Sequence, residues 1–139
     1  MMLVDTNIWI YYFDTRLPEH GQVAGALEAE IGSGAVTTTT VLMEVAHFFR
    51  GLAKAEFWAF IGYLKNLETM KIVEFDMEML ELALGFLVEY ADMGIGGRDS
   101  TILAAMKLSD VDTIMTHDRT FRRIPSIKVV DPVTSSVHA

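Results

Sequence analysis

Short β-prone runs alternate with longer helical stretches along this chain, and that alternation constrains the fold more than any other feature. Met2 to Val4, Ala35 to Thr38, Lys71 to Phe75, Thr113 to Thr116 and Ile127 to Val130 read as strands. Thr6 to Phe13, Pro18 to Ile31, Thr40 to Leu52, Lys54 to Glu68, a stretch from Asp76 to about Ala91, and Arg98 to Leu108 read as helices. Pro18 opens one helix, Gly32 and Gly34 close it, and Asp76 is placed to cap another. Strands this short, separated by helices, cannot pair as hairpins. The expected fold class is α/β, a central parallel sheet between helical layers in a three-layer α/β/α sandwich. With 139 residues the chain matches one domain, expected over 1–133 with a short tail at 134–139.

In open sheets of this kind, sites form beyond the carboxyl ends of strands. Asp5 and Asp118 both follow predicted strands. Glu44 borders a stripe of Val41, Val45, Phe48 and Leu52, and Asp99 shares a face with Ile102, Leu103 and Met106. Each acid has an ordinary reading taken singly: Asp5 and Asp118 as helix caps, Glu44 as an exposed stripe edge hydrogen-bonded to His47, Asp99 as a first-turn acid favoured by the helix dipole. Four acids converging on one point would repel, and a divalent cation is the simplest remedy. The chain has no cysteine, which excludes disulfides and thiolate zinc sites, and His20 and His138 show no zinc spacing. Oxygen ligands without Cys or His point to Mg²⁺ or Mn²⁺ and phosphate chemistry. Thr6, Asn7 and Thr116 can supply further oxygens or hydrogen bonds, and His117 reads as structural.

Rival chemistries lack their marks. Asn7 stands where haloacid-dehalogenase phosphatases carry a second Asp. No Gly-Lys-Ser/Thr follows Gly96-Gly97, and no Gly-x-Ser-x-Gly is present. The net charge is −8, from 11 Lys and Arg against 19 Asp and Glu, which argues against a broad nucleic-acid footprint but not against a nuclease with a metal-neutralised site. Arg98 precedes Asp99, and Arg119, Arg122 and Arg123 follow Asp118. They would flank the acids, as surface ion pairs or as phosphate contacts. The N-terminus carries no secretory pattern. Leu82 to Val88 is too short for a membrane span, which needs about 20 apolar residues. A cytoplasmic protein is expected.

Four segments carry a resemblance: Val-Asp-Thr-Asn-Ile-Trp-Ile near the start, Thr-Thr-Val-Leu-Met-Glu-Val-Ala in the middle, Gly-Gly-Arg-Asp-Ser-Thr-Ile-Leu-Ala-Ala later, and Thr-His-Asp-Arg-Thr-Phe near the end. In this order and spacing the chain resembles a PIN domain of the VapC-like toxin type, from Leu3 to about Pro132. The resemblance implies a Mg²⁺- or Mn²⁺-dependent endoribonuclease that leaves 5′-phosphate and 3′-hydroxyl ends. Asp5, Glu44, Asp99 and Asp118 match its acidic quartet, and Thr6, Asn7 and Thr116 match supporting positions. It also implies an antitoxin partner that lays a C-terminal segment into the acidic groove. Ser100 departs from the small apolar residue usual there. Arg98 and Arg119 are candidate RNA phosphate contacts. Trp58 and Tyr63 widen the apolar stripe of the aromatic helix around Phe57, Trp58 and Phe60; that width, and the nearly all-round apolar Leu80 to Val88, point to a homodimer interface. The alternatives are a non-catalytic module binding protein or RNA, and a DNA nuclease or metal-dependent phosphatase of similar topology.

Overall fold

The computed structural model describes residues 1–133; the expected tail at 134–139 lies outside them. Five short strands, β1 (Met2–Val4), β2 (Ala35–Thr38), β3 (Met70–Val73), β4 (Thr113–Met115) and β5 (Lys128–Val130), form one sheet in the order β3-β2-β1-β4-β5. Every pairing is parallel, with Leu3 opposite Val36 on one side and opposite Ile114 on the other. Six helices connect them: α1 (Thr6–Phe13), α2 (His20–Ile31), α3 (Thr39–Phe48), α4 (Lys54–Lys65), α5 (Met77–Glu89) and α6 (Gly97–Leu108).

The chain first steps outward from β1 to β2 to β3, then returns to β4 and β5 on the other side. Right-handed crossovers therefore place α1 to α4 over one face and α5 and α6 over the other. The contacts agree: α1 packs on α2 and α3, and α5 packs along α6. This is the α/β sandwich expected from the alternation. The reversal of direction falls between β1 and β4, and at such a switch point a crevice opens at the carboxyl edge of the sheet.

The core is built from Leu3, Val4, Ile8, Trp9, Val36, Ile102, Ile114 and Phe121, all fully buried. α6 is its main helical component, because every residue from Ser100 to Met106 is buried. A helix enclosed on all sides must satisfy its polar groups internally. Ser100 does so by donating to Gly96 O at 2.8 Å, and Thr101 by donating to Arg98 O at 2.6 Å. Ser100 thus occupies a small buried site at no polar cost.

Element ends differ from the sequence reading by a few residues, each for a local reason. α2 starts at His20, and Pro18 lies in the preceding turn. α3 stops at Phe48 rather than Leu52, since Arg50 Nη1 caps His47 O at 2.8 Å and the Phe49 ring turns to Phe60, 5.0 Å between centroids. α4 ends at Lys65, where Asn66 Nδ2 takes Gly62 O at 2.7 Å. β3 ends at Val73 because Phe75 N leaves the ladder for Thr39 Oγ1, 3.1 Å away. Asp76 caps α5 as expected, accepting from Met79 N at 2.9 Å. The α3 stripe is narrower than its spacing implied: Val41 and Val45 are buried, but Phe48 and Leu52 are exposed. On α4 only Leu64 is fully buried, while Trp58 and Tyr63, expected to widen the apolar stripe, face outward at 68% and 57% exposure. No helix among the described residues is long and apolar enough to cross a membrane.

Candidate acidic site

β1 delivers Asp5 to the switch-point crevice. Its N–H continues the ladder to Met115 O at 3.0 Å, so the backbone is fixed before the side chain is considered. The carboxylate is buried, 1% exposed, and fully engaged. Oδ1 accepts from Thr6 N at 2.7 Å, the cap of α1, and from Arg98 Nη2 at 2.5 Å. Oδ2 accepts from Thr116 Oγ1 at 2.8 Å. One carboxylate thus caps α1 and also bonds to Arg98 and Thr116.

Thr116, just past β4 and fully buried, is the hub of the supporting shell. Its hydroxyl donates to Asp5 and accepts from Asp118 N at 3.0 Å and Asn7 Nδ2 at 3.3 Å, using its one proton and both lone pairs. Asn7 in turn accepts from His117 N at 3.2 Å, which ties α1 to the loop after β4. All three supporting residues named from the sequence thus meet in one network. Thr6 completes it, donating to Glu44 Oε1 at 2.6 Å.

Glu44 projects from the middle of α3. Its bonds go to Thr6 and to Arg98, with Arg98 Nη2 at 2.9 Å and Nε at 3.1 Å from Oε1; His47 is not its partner as expected. Burial pushes the Glu44 carboxyl up, but the bonds from Arg98 and Thr6 and the Arg98 charge outweigh it and leave it below the ordinary value. Asp99 sits in the first turn of α6, accepting from Gly96 N at 3.5 Å, with Arg98 Nη1 3.7 Å from Oδ1. Burial raises its pKa, and the charges of Asp118 and Asp5 raise it further against the pull of Gly96 and Arg98. Asp118 is more exposed. Its Oδ1 accepts from Thr120 N at 2.9 Å and Thr120 Oγ1 at 2.6 Å, just ahead of the short 3₁₀ helix Thr120–Arg123, whose N-cap position is Arg119. Burial works against its ionisation, yet these bonds and the Arg98 charge hold it below the usual carboxylate range.

Three of the four acids named from the sequence, Asp5, Glu44 and Asp99, thus lie against a single guanidinium, and Asp118 joins them through its backbone N–H bond to Thr116. Arg98 does not flank the cluster; it occupies its centre. Burial pushes its pKa down, but the bonds and charges of Glu44 and Asp5 more than reverse this. As the side chains stand, no group of three or more Asp, Glu, His or Cys among the described residues is disposed to hold a metal ion. The donor chemistry nevertheless fits one: hard carboxylate oxygens converge on a cation, and Arg98 is that cation here.

The sequence reading passed over Asp131. It follows β5 as Asp5 follows β1, and the same strand-end rule would have found it. His117 Nδ1 lies 2.9 Å from Asp131 Oδ2, and Arg122 Nη2 lies 3.5 Å from the same oxygen. His117 is thereby part of the scaffold, its ring also edge-on to Tyr11. Arg119 is exposed at the start of the 3₁₀ helix. An open groove of about 640 Å³ begins at Thr6 and Glu44 and runs over Ile10, Met43, His47, Phe48 and Arg50, so the cluster is reachable from solvent along a partly apolar path.

Comparison with known proteins places this geometry. The PIN domain family model matches residues 2–127. Ribonuclease VapC13 of Mycobacterium tuberculosis is 30% identical over 135 residues, covering 92% of this chain and 98% of the relative, and a VapC ribonuclease of Mycobacterium bovis matches equally. Among solved structures, a toxin–antitoxin complex from Klebsiella pneumoniae superposes with a TM-score of 0.70 at 25% identity, covering 96% of this chain and 98% of that one. The fold is shared with VapC20 of Mycobacterium tuberculosis, described as a sarcin-ricin loop cleaving toxin, with a TM-score of 0.74 at 17% identity, covering 90% of this chain and 95% of that one. The chain belongs to the PIN-domain family, with VapC ribonucleases as its curated relatives.

Proposed function

We propose that this protein is a metal-dependent endoribonuclease and the toxin of a VapBC-type toxin–antitoxin pair. The observation that carries the reading is the convergence of Asp5, Glu44 and Asp99 on one cation at the sheet's switch point, with Asp118 joined to them through Thr116. The curated VapC relatives support RNA as the substrate.

Asp5, Glu44 and Asp99 would hold Mg²⁺ or Mn²⁺, and Asp118 would complete the site. Bound there, the ion supplies charge stabilisation at the phosphoryl oxygens and activates water for attack. Thr116 and the Thr6 amide aim the two oxygens of Asp5, and Thr6 aims Glu44. Outer contacts of this type hold ligating carboxylates in one orientation. Asn7 locks the loop carrying Asp118. Arg98 and Arg119 are the candidate contacts for RNA phosphates, and they matter in a chain of net charge −8, because most of its surface repels the substrate.

The groove beside Glu44 suits an inserted segment of a small antitoxin. The outward Trp58, Tyr63, Leu84 and Val88 support a homodimer, which light scattering at micromolar concentration would refute by returning a monomer mass. A cytoplasmic setting accords with the absence of cysteine.

The Arg98 pairing also favours a second reading, a non-catalytic module whose acids serve as internal ion pairs. One assay separates the two: cleavage of end-labelled RNAs with Mg²⁺, with Mn²⁺ and with EDTA, beside Asp5→Asn purified identically. Metal-dependent cuts that vanish in the variant support the nuclease. Identical behaviour of the two proteins across the RNA panel supports the module.

A further inference from the structure

We infer that Arg98 is a built-in competitor for the metal: its guanidinium and a divalent cation occupy the same carboxylate oxygens in turn, so loading the site requires Arg98 to swing out. The inference rests on the metal site proposed above.

The geometry leaves little room for both. Asp5 Oδ1 has two lone pairs, and both are taken, one by Thr6 N at 2.7 Å and one by Arg98 Nη2 at 2.5 Å. The Thr6 amide is locked as the start of α1, so only Arg98 can yield. The same Nη2 lies 2.9 Å from Glu44 Oε1 and 2.8 Å from Thr6 Oγ1, and Nε adds a second hold on Glu44 at 3.1 Å. A planar fork reaching two carboxylates at once suits Arg and not Lys.

Displacement is also physically accessible. Arg98 lies in the first turn of α6, whose next residues are anchored in the core, so its backbone stays while its side chain moves. The side chain is 31% exposed whereas that of Asp5 is 2% exposed, so the arm already has an edge in solvent. Beside it a groove of about 310 Å³ passes over Leu80, Leu84 and Leu87 and offers apolar surface to the displaced aliphatic stem. In the resting state Arg98 keeps three acids from repelling one another. Leaving frees a cation next to the ion, where an RNA phosphate would lie.

Apparent metal affinity is then the intrinsic affinity reduced by the fraction of molecules with Arg98 out. If that fraction is about 1–10%, removing the competitor tightens binding about ten- to hundredfold. The test is Mn²⁺ titration of the full chain, following the free-ion electron paramagnetic resonance signal, for wild type, Arg98→Gln and Arg98→Lys. Thermal melts are run in EDTA and in saturating Mn²⁺.

Arg98→Gln should bind Mn²⁺ about ten- to hundredfold more tightly. Arg98→Lys keeps the charge but loses the fork, so it should also bind more tightly than wild type, by a smaller factor. That separates displacement from simple loss of a repelling charge. In EDTA Arg98→Gln should melt below wild type, and Mn²⁺ should close the gap, whereas an ion pair unrelated to the metal would leave the gap unchanged. If Arg98→Gln does not fold without metal, the Arg98→Lys titration decides alone. Equal Mn²⁺ affinities in wild type and both variants would overturn the displacement and leave the metal site standing. Failure of all three proteins to bind Mn²⁺ would overturn the metal site itself and this inference with it.

Discussion

Thr116→Val should misaim Asp5 without disturbing the core shape. Valine replaces threonine nearly atom for atom, so the perturbation is the loss of one hydroxyl from a fully buried position. That hydroxyl makes three bonds of unequal worth. The bond to Asp5 Oδ2 at 2.8 Å is charge-assisted and buried, worth about 1.5–3 kcal/mol. The Asp118 N–H lies on an exposed residue and recovers water, and the Asn7 contact at 3.3 Å is weak. The added methyl returns at most about 0.8 kcal/mol. The net cost is about 1–2 kcal/mol, or a fall in Tm of roughly 3–7 °C for a chain of this size. RNA cleavage should fall about 10–100-fold, the usual cost of removing an outer partner of a ligating group. Thr116→Ser keeps the hydroxyl and should retain most activity although it loses a buried methyl. Urea melts in EDTA give the stability, initial cleavage rates give the activity, and a cycle with Asp5→Asn should show coupling of about 1 kcal/mol between the two sites. A Thr116→Val protein that matches wild type in both stability and rate would refute the reasoning, since Asp5 would then take its orientation from Thr6 and Arg98 alone.

Two further outcomes follow from the same network and its surroundings. Glu44 titrates below its ordinary 4.5 when folded, so between the two values the unfolded chain binds the extra proton; its contribution is whole above about pH 4.5 and drains away as pH falls through the folded value. Asp118 acts in the same sense from its own lower range, whereas Asp99, raised in the fold, loses stability as pH rises through its folded value. Melting wild type and Glu44→Gln between about pH 6 and 3 should show a shallower acid loss in the variant, and equal slopes would refute the assignment. Thr37 is fully buried on β2 with a hydroxyl that has no hydrogen-bond partner among the described residues, so Thr37→Val should stabilise the fold by about 1 kcal/mol in urea melts; destabilisation would mean the hydroxyl is satisfied after all.

The order of elements was legible because hydrophobic period and turn residues report local structure directly. All five strands and six helices appear where the alternation put them, and Asp76 caps α5 through its own side chain. Ends were less legible, since α3 stops where Phe49 finds Phe60 across the α3–α4 turn, a contact that no local pattern in α3 encodes. The acids were legible because strand ends and helix faces carried them to one edge. The place of Arg98 was not. It touches Asp5 across 93 residues of chain, and its position beside Asp99 in sequence implied a flanking role. Only the packing of α6 on the sheet, against β2, turns it inward towards Asp5. Asp131 was missed for lack of a helix to cap, although its place after β5 obeys the rule that found Asp5.

The hub bond from Thr116 to Asp5 closes a loop of 111 residues, and Arg98 reaches Asp5 across 93. Among the described strands β1 comes first in the chain and is the central one, and its neighbour β4 comes fourth. During synthesis at about 5–20 residues per second, Asp5 therefore leads Thr116 by roughly 5–20 seconds. Through that interval the acid is on a chain that cannot form the crevice, because no fragment lacking β4 has both walls. The same dependence on distant segments makes assembly slow compared with a helical bundle of equal length.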